Sequence, residues 1–282
     1  MNRRLPLIAA ALAAALVAGG CATNPVTGKS DIVMMSAAQE VEIGRQMHPK
    51  VLQEYGRYAD EELQAYVSDL GQRIAAVSHR PELQYTFTVL DSEEVNAFAL
   101  PGGYVYITRD LLKEFKTEAQ LAAVLSHEIG HVVARDTLVA MSEQIGMTAI
   151  MVAAQAGGSP DLARGTRFVT AVLSLQYSRE DEKEADLAGL TYMTQAGYDP
   201  NAMIEVMQIL EKLQTIRPIE FFSTHPNPES RIAYLQERIA RRFASLPKLK
   251  EGQEEYSQRV LSPLNERKKR FNVPSQESAG AE

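Results

Sequence analysis

One stretch narrows the choice of fold and chemistry more than any other: Ala123-Val124-Leu125-Ser126-His127-Glu128-Ile129-Gly130-His131. His127 and His131 are four residues apart, so on a helix their imidazoles lie on one face, one turn from each other. That spacing lets both rings bind a single Zn²⁺ at about 2.0–2.1 Å. Glu128 is rotated by about 100° from His127, which sets its carboxylate beside a water on the metal rather than on the metal itself. Zinc lowers the pKa of such a water to about 7, and the neighbouring carboxylate can take its proton. Chance is a poor explanation of the pattern, because the whole chain has 5 histidines. Thr117-Glu118-Ala119-Gln120 is a capping-box pattern, and the apolar helix that it opens continues to about Arg135.

A catalytic zinc site needs a third protein ligand and an open position. Arg135 to Leu138 stand where a longer histidine motif would place a third imidazole, so a downstream carboxylate is expected instead. Ser178-Arg179-Glu180-Asp181-Glu182-Lys183-Glu184-Ala185-Asp186 supplies several, at the start of another predicted helix. Glu182 and Asp186 share one helical face, and the small Ala185 allows a close approach between helices. Spacing alone leaves the choice open: Glu182 is a ligand candidate, but acidic helix starts are common and Glu180 or Glu184 can equally face solvent.

Apolar spacing predicts helices over 37–58 and 60–78, then a strand over 85–90. Two short strands, 96–100 and 104–108, flank the turn Pro101-Gly102-Gly103. Further helices are expected at about 138–156, 180–196, 201–214 and 228–244, with the uncharged Gln144–Ala156 stretch buried because it is too short to span a bilayer. The C-terminal residues 246–282 read as a charged tail, partly ordered at most, in which Arg267-Lys268-Lys269-Arg270 is a solvated run.

The N-terminus reads as an export signal. Arg3 and Arg4 precede an uncharged run from Leu5 to Ala18, the length of a signal-peptide core and too short for a membrane span. Ala18-Gly19-Gly20-Cys21 resembles a bacterial lipobox, so residues 1–20 are expected to be removed and Cys21 lipidated. Thr23 to Ser36 then form a polar tether, and Ala22 after the cysteine resembles the outer-membrane sorting pattern. Several acyl chains on Cys21 give firm anchoring. Since this cysteine is the only one, no internal disulfide is possible. With 45% apolar residues in 282 and a net charge of −7, the chain can bury a substantial core, and nucleic acid is not expected as a partner.

Four motifs in order carry a family resemblance: Asn96-Ala97-Phe98-Ala99-Leu100-Pro101-Gly102-Gly103, His127-Glu128-Ile129-Gly130-His131, Ser178-Arg179 with Glu182-Lys183-Glu184-Ala185-Asp186, and Thr224-His225-Pro226 followed by Arg231. From about Gln39 to Arg242 the chain resembles zinc metallopeptidases of the HtpX and CAAX-prenyl-protease type, in their BepA/LoiP-like periplasmic lipoprotein branch. The resemblance implies a mostly helical α+β, gluzincin-like domain over 37–245, with a small sheet whose edge strand lies over the active site. It makes Glu182 the third zinc ligand and Asp186 the acid that orients a ligating histidine, with Arg179 accompanying them. It sets His225 near the zinc, either as a latch on the open position or as a stabiliser of the oxyanion. Arg231 pairs with an acid near the site or assists the oxyanion, the structural role being preferred. Asn96, Ala97, Phe98 and Ala99 become substrate-binding candidates through strand addition, with the Phe98 ring equally suited to the core.

The expected protein is therefore an endopeptidase with one Zn²⁺ per chain, Glu128 acting as base, on the periplasmic face of the outer membrane. Its expected substrates are misfolded or unassembled envelope polypeptides, with envelope assembly machinery as a possible partner. The alternative is a zinc-bearing chaperone or assembly factor whose peptidase activity is latched.

Overall fold

The computed structural model describes residues 21–28, 30–32, 35–144, 170–226 and 231–271. Two short strands, β1 (Cys21–Thr23) and β2 (Ser30–Ile32), precede the helices α1 (Ala37–Tyr55) and α2 (Glu61–Ala75). Strands β3 (Thr86–Leu90), β4 (Ala97–Leu100) and β5 (Tyr104–Thr108) follow, and then α3 (Arg109–Glu114), α4 (Glu118–Ala134) and α5 (Asp136–Gln144). The described remainder contains α6 (Arg179–Gln195), α7 (Asn201–Ile216), the short α8 (Phe221–Thr224), α9 (Arg231–Arg242), α10 (Gln253–Tyr256) and α11 (Ser262–Phe271), with a π-turn between the last two.

Helix α4 is the centre of the molecule. Thr117 caps it by accepting from the Gln120 amide, and every one of its residues is buried. A helix apolar nearly all round has no face to offer to solvent, so α2, α6, α7 and the sheet close over it. The sheet order is β3-β5-β4, with β3 parallel and β4 antiparallel to β5, so β4 is an edge strand. Side-chain alternation divides its two faces. Ala97, Ala99, Val105 and Ile107 join the main core around α4, whereas Phe98, Leu100 and Tyr106 pack with Ile43, Met47 and Val51 of α1 and with Leu138 and Met141 of α5. Both faces being covered, the strands read as nearly unbroken apolar runs. The β4–β5 turn tucks under α1 because Gly102, at φ 80°, has no Cβ: one would stand 2.7 Å from the Val41 Cα.

The result is a mostly helical α+β domain with a small mixed sheet. Three expectations change. The presumed tether contains the antiparallel pair β1–β2, with Cys21 opposite Ile32. The segment read as a tail supplies Tyr256, Val260 and Leu264 to the main core, and the Tyr256 hydroxyl donates to the Leu112 carbonyl at 2.7 Å. Its weak periodicity reflects a π-turn, which displaces the apolar positions from the 3.6-residue pattern. Helix α5 starts two residues earlier than expected, at Asp136. Residues 1–20, the continuation from 145 to 156 and the side chains of 267–270 lie outside the described residues. No described helix is long and apolar enough to cross a membrane.

Candidate metal centre

The site exists because two helices touch backbone to backbone. A Cβ on Gly130 of α4 would stand 2.9 Å from the Ala185 backbone, and one on Gly189 of α6 would stand 2.9 Å from the His127 amide nitrogen. At that separation the short side chains of α6 reach the imidazoles of α4. His127 and His131 from α4, Glu182 from α6 and His225 from the end of α8 bring one ligand atom each within 4.8 Å of one another. All four are buried.

Their spacing suits a cation. Ligands at about 2.0–2.1 Å from one ion stand about 3.3 Å apart in a tetrahedron. Here the Nε2 atoms of His127 and His131 are 3.1 Å apart, and His127 Nε2 is 3.3 Å from His225 Nδ1. Glu182 Oε1 lies 3.4 Å from His131 Nε2 and 2.8 Å from His225 Nδ1. The far ring nitrogens settle which lone pairs face inward. His127 Nδ1 is 2.9 Å from Asp186 Oδ1, and His131 Nδ1 is 2.6 Å from Asp136 Oδ2. A proton on Nδ1, hydrogen-bonded to Asp136 in His131 and facing the Asp186 anion in His127, leaves Nε2 as the atom free for a metal.

Charge balance inside the cluster comes from Arg231, itself completely buried. Its Nε and Nη2 donate to the two Asp186 oxygens at 2.8 and 2.7 Å, and its Nη1 stands 2.7 Å from Glu182 Oε2. Burial disfavours the Asp186 anion, but Arg231 and His127 outweigh it and hold the carboxyl down at about 2. Glu182 is likewise kept well below the usual carboxylate range, by His225 and Arg231 against burial. Asp136 goes the other way: burial raises it to about 7, only partly offset by His131. Burial pushes the His127 and His225 imidazoles down, whereas Asp136 and Glu182 outweigh burial at His131 and push it up.

Glu128 stands apart. It is buried, yet neither of its oxygens has a hydrogen-bond partner among the described residues; His225 Nε2, also without one, lies 3.7 Å from Oε1. Burial pushes its carboxyl up, toward the value a proton-transfer group needs. Buried polar groups are normally satisfied, so an unpartnered carboxylate beside converging imidazole lone pairs indicates a group waiting for a water or substrate.

The structure does not bring every sequence candidate to the site. Arg179 is exposed at the first position of α6 and joins none of the contacts above. Arg231 takes the pairing role, its guanidinium committed to two carboxylates. Phe98 belongs to the core: its ring stacks on Tyr106 at 4.9 Å, the strand's alternation having turned it toward α1. Asn96 is buried and its backbone is bonded to Thr108. Ala97 and Ala99 lie on the edge strand, and the Ala99 carbonyl accepts from Thr137 Oγ1 at 3.3 Å. Glu180 is exposed, and neither it nor Glu184 enters the ligand group.

Two site residues escaped the sequence reading. Asp136 reaches His131 because Arg135 ends α4 in the left-handed region, at φ 64°, and turns the chain back. An acid five residues after a ligating histidine was the available signal. Tyr177 stacks on the His131 ring at 4.1 Å and shares a 3.0 Å hydrogen bond with Thr137. Nothing local in the sequence marks it.

Converging imidazole and carboxylate lone pairs beside an unpartnered glutamate, carried on a central buried helix, define a metallopeptidase of the His-Glu-x-x-His class. The comparisons with known proteins are specific: the chain belongs to Peptidase family M48, whose model matches residues 61–239. Among its relatives, the beta-barrel assembly-enhancing protease of Escherichia coli is 30% identical over 228 residues, covering 77% of this chain and 47% of that protein. The mitochondrial metalloendopeptidase OMA1 of Schizosaccharomyces pombe is 32% identical over 223 residues, 76% of this chain and 65% of that one. Metalloprotease LoiP of Escherichia coli is 27% identical over 158 residues, 55% and 62% of the two chains. This chain thus spans less than half the length of the assembly-enhancing protease it matches.

Proposed function

We propose that this metallopeptidase is a zinc-dependent endopeptidase of the bacterial envelope, lipid-anchored through Cys21 to the periplasmic face of the outer membrane. The observation that carries the activity is the unpartnered, buried Glu128 beside the ligand group. His127, His131 and Glu182 would hold the ion, a donor set of two imidazoles and one carboxylate that suits zinc. Bound there, zinc supplies Lewis acidity for the scissile carbonyl and acidifies the attacking water. Glu128 takes the proton of that water and delivers it to the leaving amine. Asp186 and Asp136 keep the two rings in the tautomer and orientation that binding requires, while Arg231 holds Asp186 and Glu182 as anions.

The proposed substrates are misfolded or unassembled envelope polypeptides, with the envelope assembly machinery as a candidate partner. The lipobox-like sequence at Cys21 and the relationship to an Escherichia coli protein named for beta-barrel assembly support this reading. His225 adds a condition. Its Nδ1 stands within the ligand group, so with an ion bound it would take a fourth position and latch the site until substrate displaced it.

Cleavage of casein by the chain lacking residues 1–21 tests the activity. Zinc-dependent proteolysis that falls by about 10²–10⁴ in Glu128→Gln, with one zinc per chain retained, is the expected result. Full turnover in the variant would remove Glu128 as the base. Suppression of aggregation without cleavage, equal in both proteins, would instead favour the chaperone reading.

A further inference from the structure

A second built feature lies beside the metal site. Helices α6 and α9 enclose a cleft of 510 Å³ that is lined by Lys183 and Leu187 from one and by Tyr234, Glu237, Arg238, Arg241 and Arg242 from the other. Four cations face one carboxylate, in a chain whose net charge is −7. That carboxylate, Glu237, is already paired with Arg241 at 3.2 Å, and both of these side chains are largely exposed. Lys183 Nζ sits 5.5 Å over the Tyr234 ring. Among the described residues no carboxylate forms an ion pair with Lys183, Arg238 or Arg242.

Helix geometry accounts for part of this arrangement only. Cations in the last turn of a helix interact favourably with its dipole, which explains Arg241 and Arg242. It does not explain Arg238, a turn earlier on the same face, or Lys183 on the opposite wall. Like charges three and four residues apart repel one another, and the one carboxylate lining the cleft, Glu237, is paired with Arg241 and offsets only part of that repulsion. Guanidinium groups present forked donors that match phosphate oxygens two at a time, and an ammonium opposite adds a point charge. The cleft is concave, which suits a compact, multiply charged anion better than an extended acidic chain.

We propose that this cleft binds a phosphate-bearing anion, held between Arg238 and Arg242 on α9 and Lys183 on α6. The site is separate from the metal ligands, and binding is measured without reference to peptidase activity. Tyr234 links the two regions, because its hydroxyl is hydrogen-bonded to Asp186. For that reason the test leaves Tyr234 unchanged.

The full chain is titrated with inorganic phosphate by calorimetry. In parallel it is sedimented with vesicles of phosphatidylcholine alone or with added phosphatidylglycerol, the pure lipid correcting for insertion of the N-terminus. Wild type is compared with Arg238→Gln/Arg242→Gln and, on the other wall, with Lys183→Gln, folding being checked by thermal melting. Binding at least about tenfold weaker in the variants is expected. If the loss appears with phosphate, the ligand class is a free phosphorylated compound. If it appears only with phosphatidylglycerol vesicles, the ligand is a lipid headgroup. Equal behaviour of wild type and both variants toward both probes would overturn the proposal, as would binding of a glutamate-rich peptide in place of either.

Discussion

At the residue scale, the candidate metal centre depends on groups outside its own ligand set. Asp136 is hydrogen-bonded to the back of His131, and Asp186 is paired with the back of His127 at 2.9 Å. Replacing Asp136 by Ala removes the acceptor that fixes the His131 tautomer, and zinc affinity is expected to fall about 10–100-fold in competition with a chelator. An unchanged affinity would mean that stacking on Tyr177 is sufficient to orient the ring. His225→Ala should behave differently. It leaves His127, His131 and Glu182 in place, so zinc stays bound while the turnover of casein changes; identical kinetics would take His225 out of the mechanism.

At the element scale, the site rests on the contact between α4 and α6. Gly189 admits the backbone of α4 at His127, so Gly189→Ala forces the helices apart just where both histidine ligands and Glu182 must stay in register. The expected cost is about 1–3 kcal/mol in urea unfolding, with weaker zinc binding as its companion. Loss of stability with zinc affinity intact would show that the helices can slide without disturbing the ligands. At the far end of α4, Arg80 and Arg135 both pair with the buried Glu40, and Arg80 also donates to the Val132 carbonyl. These contacts satisfy the helix C-terminus and hold Arg135 in its left-handed turn. That turn, in turn, delivers Asp136 to His131.

At the scale of the whole molecule, the first turn of α4 gathers distant parts of the chain around one buried carboxylate. Glu118 accepts from Tyr66, Tyr198, Arg73 and Lys250, and the amides of Glu118 and Ala119 donate to Gly252 and Glu251 of the C-terminal segment. Burial works against the Glu118 anion, but the two tyrosines and Lys250 prevail and its pKa is lowered. A carboxyl with a lower pKa when folded contributes stability that is complete above its unfolded value, about 4.3, and disappears as pH falls through the folded one. Glu118→Gln should therefore cost about 1–3 kcal/mol near neutrality, and the difference from wild type should shrink in acid below about pH 4.3. Urea melts at pH 7 and pH 3.5 check this; a pH-independent difference would assign the loss to packing.

Much of the chemistry was legible because it is local. The spacing of His127, Glu128 and His131, the shared face of Glu182 and Asp186, and the β4–β5 turn at Pro101-Gly102-Gly103 follow from the fixed geometry of helices and turns. The cap at Thr117 and the apolar run behind it likewise placed α4 almost to the residue. Contacts across long stretches of chain were not legible in spacing. His225 reaches His127 across 98 residues, and only the family resemblance set it near the site; Tyr177 meets Thr137 across 40, with nothing in the sequence to mark it. Phe98 could be assigned to the core only once the sheet had two covered faces. The C-terminal helices were hidden by a π-turn that breaks their periodicity. By itself, the sequence determined which side chains share a helical face, because 3.6 residues per turn leaves no freedom in that respect. The tertiary structure alone decided which faces meet, because that depends on how closely two backbones can pack, here at Gly130 and Gly189.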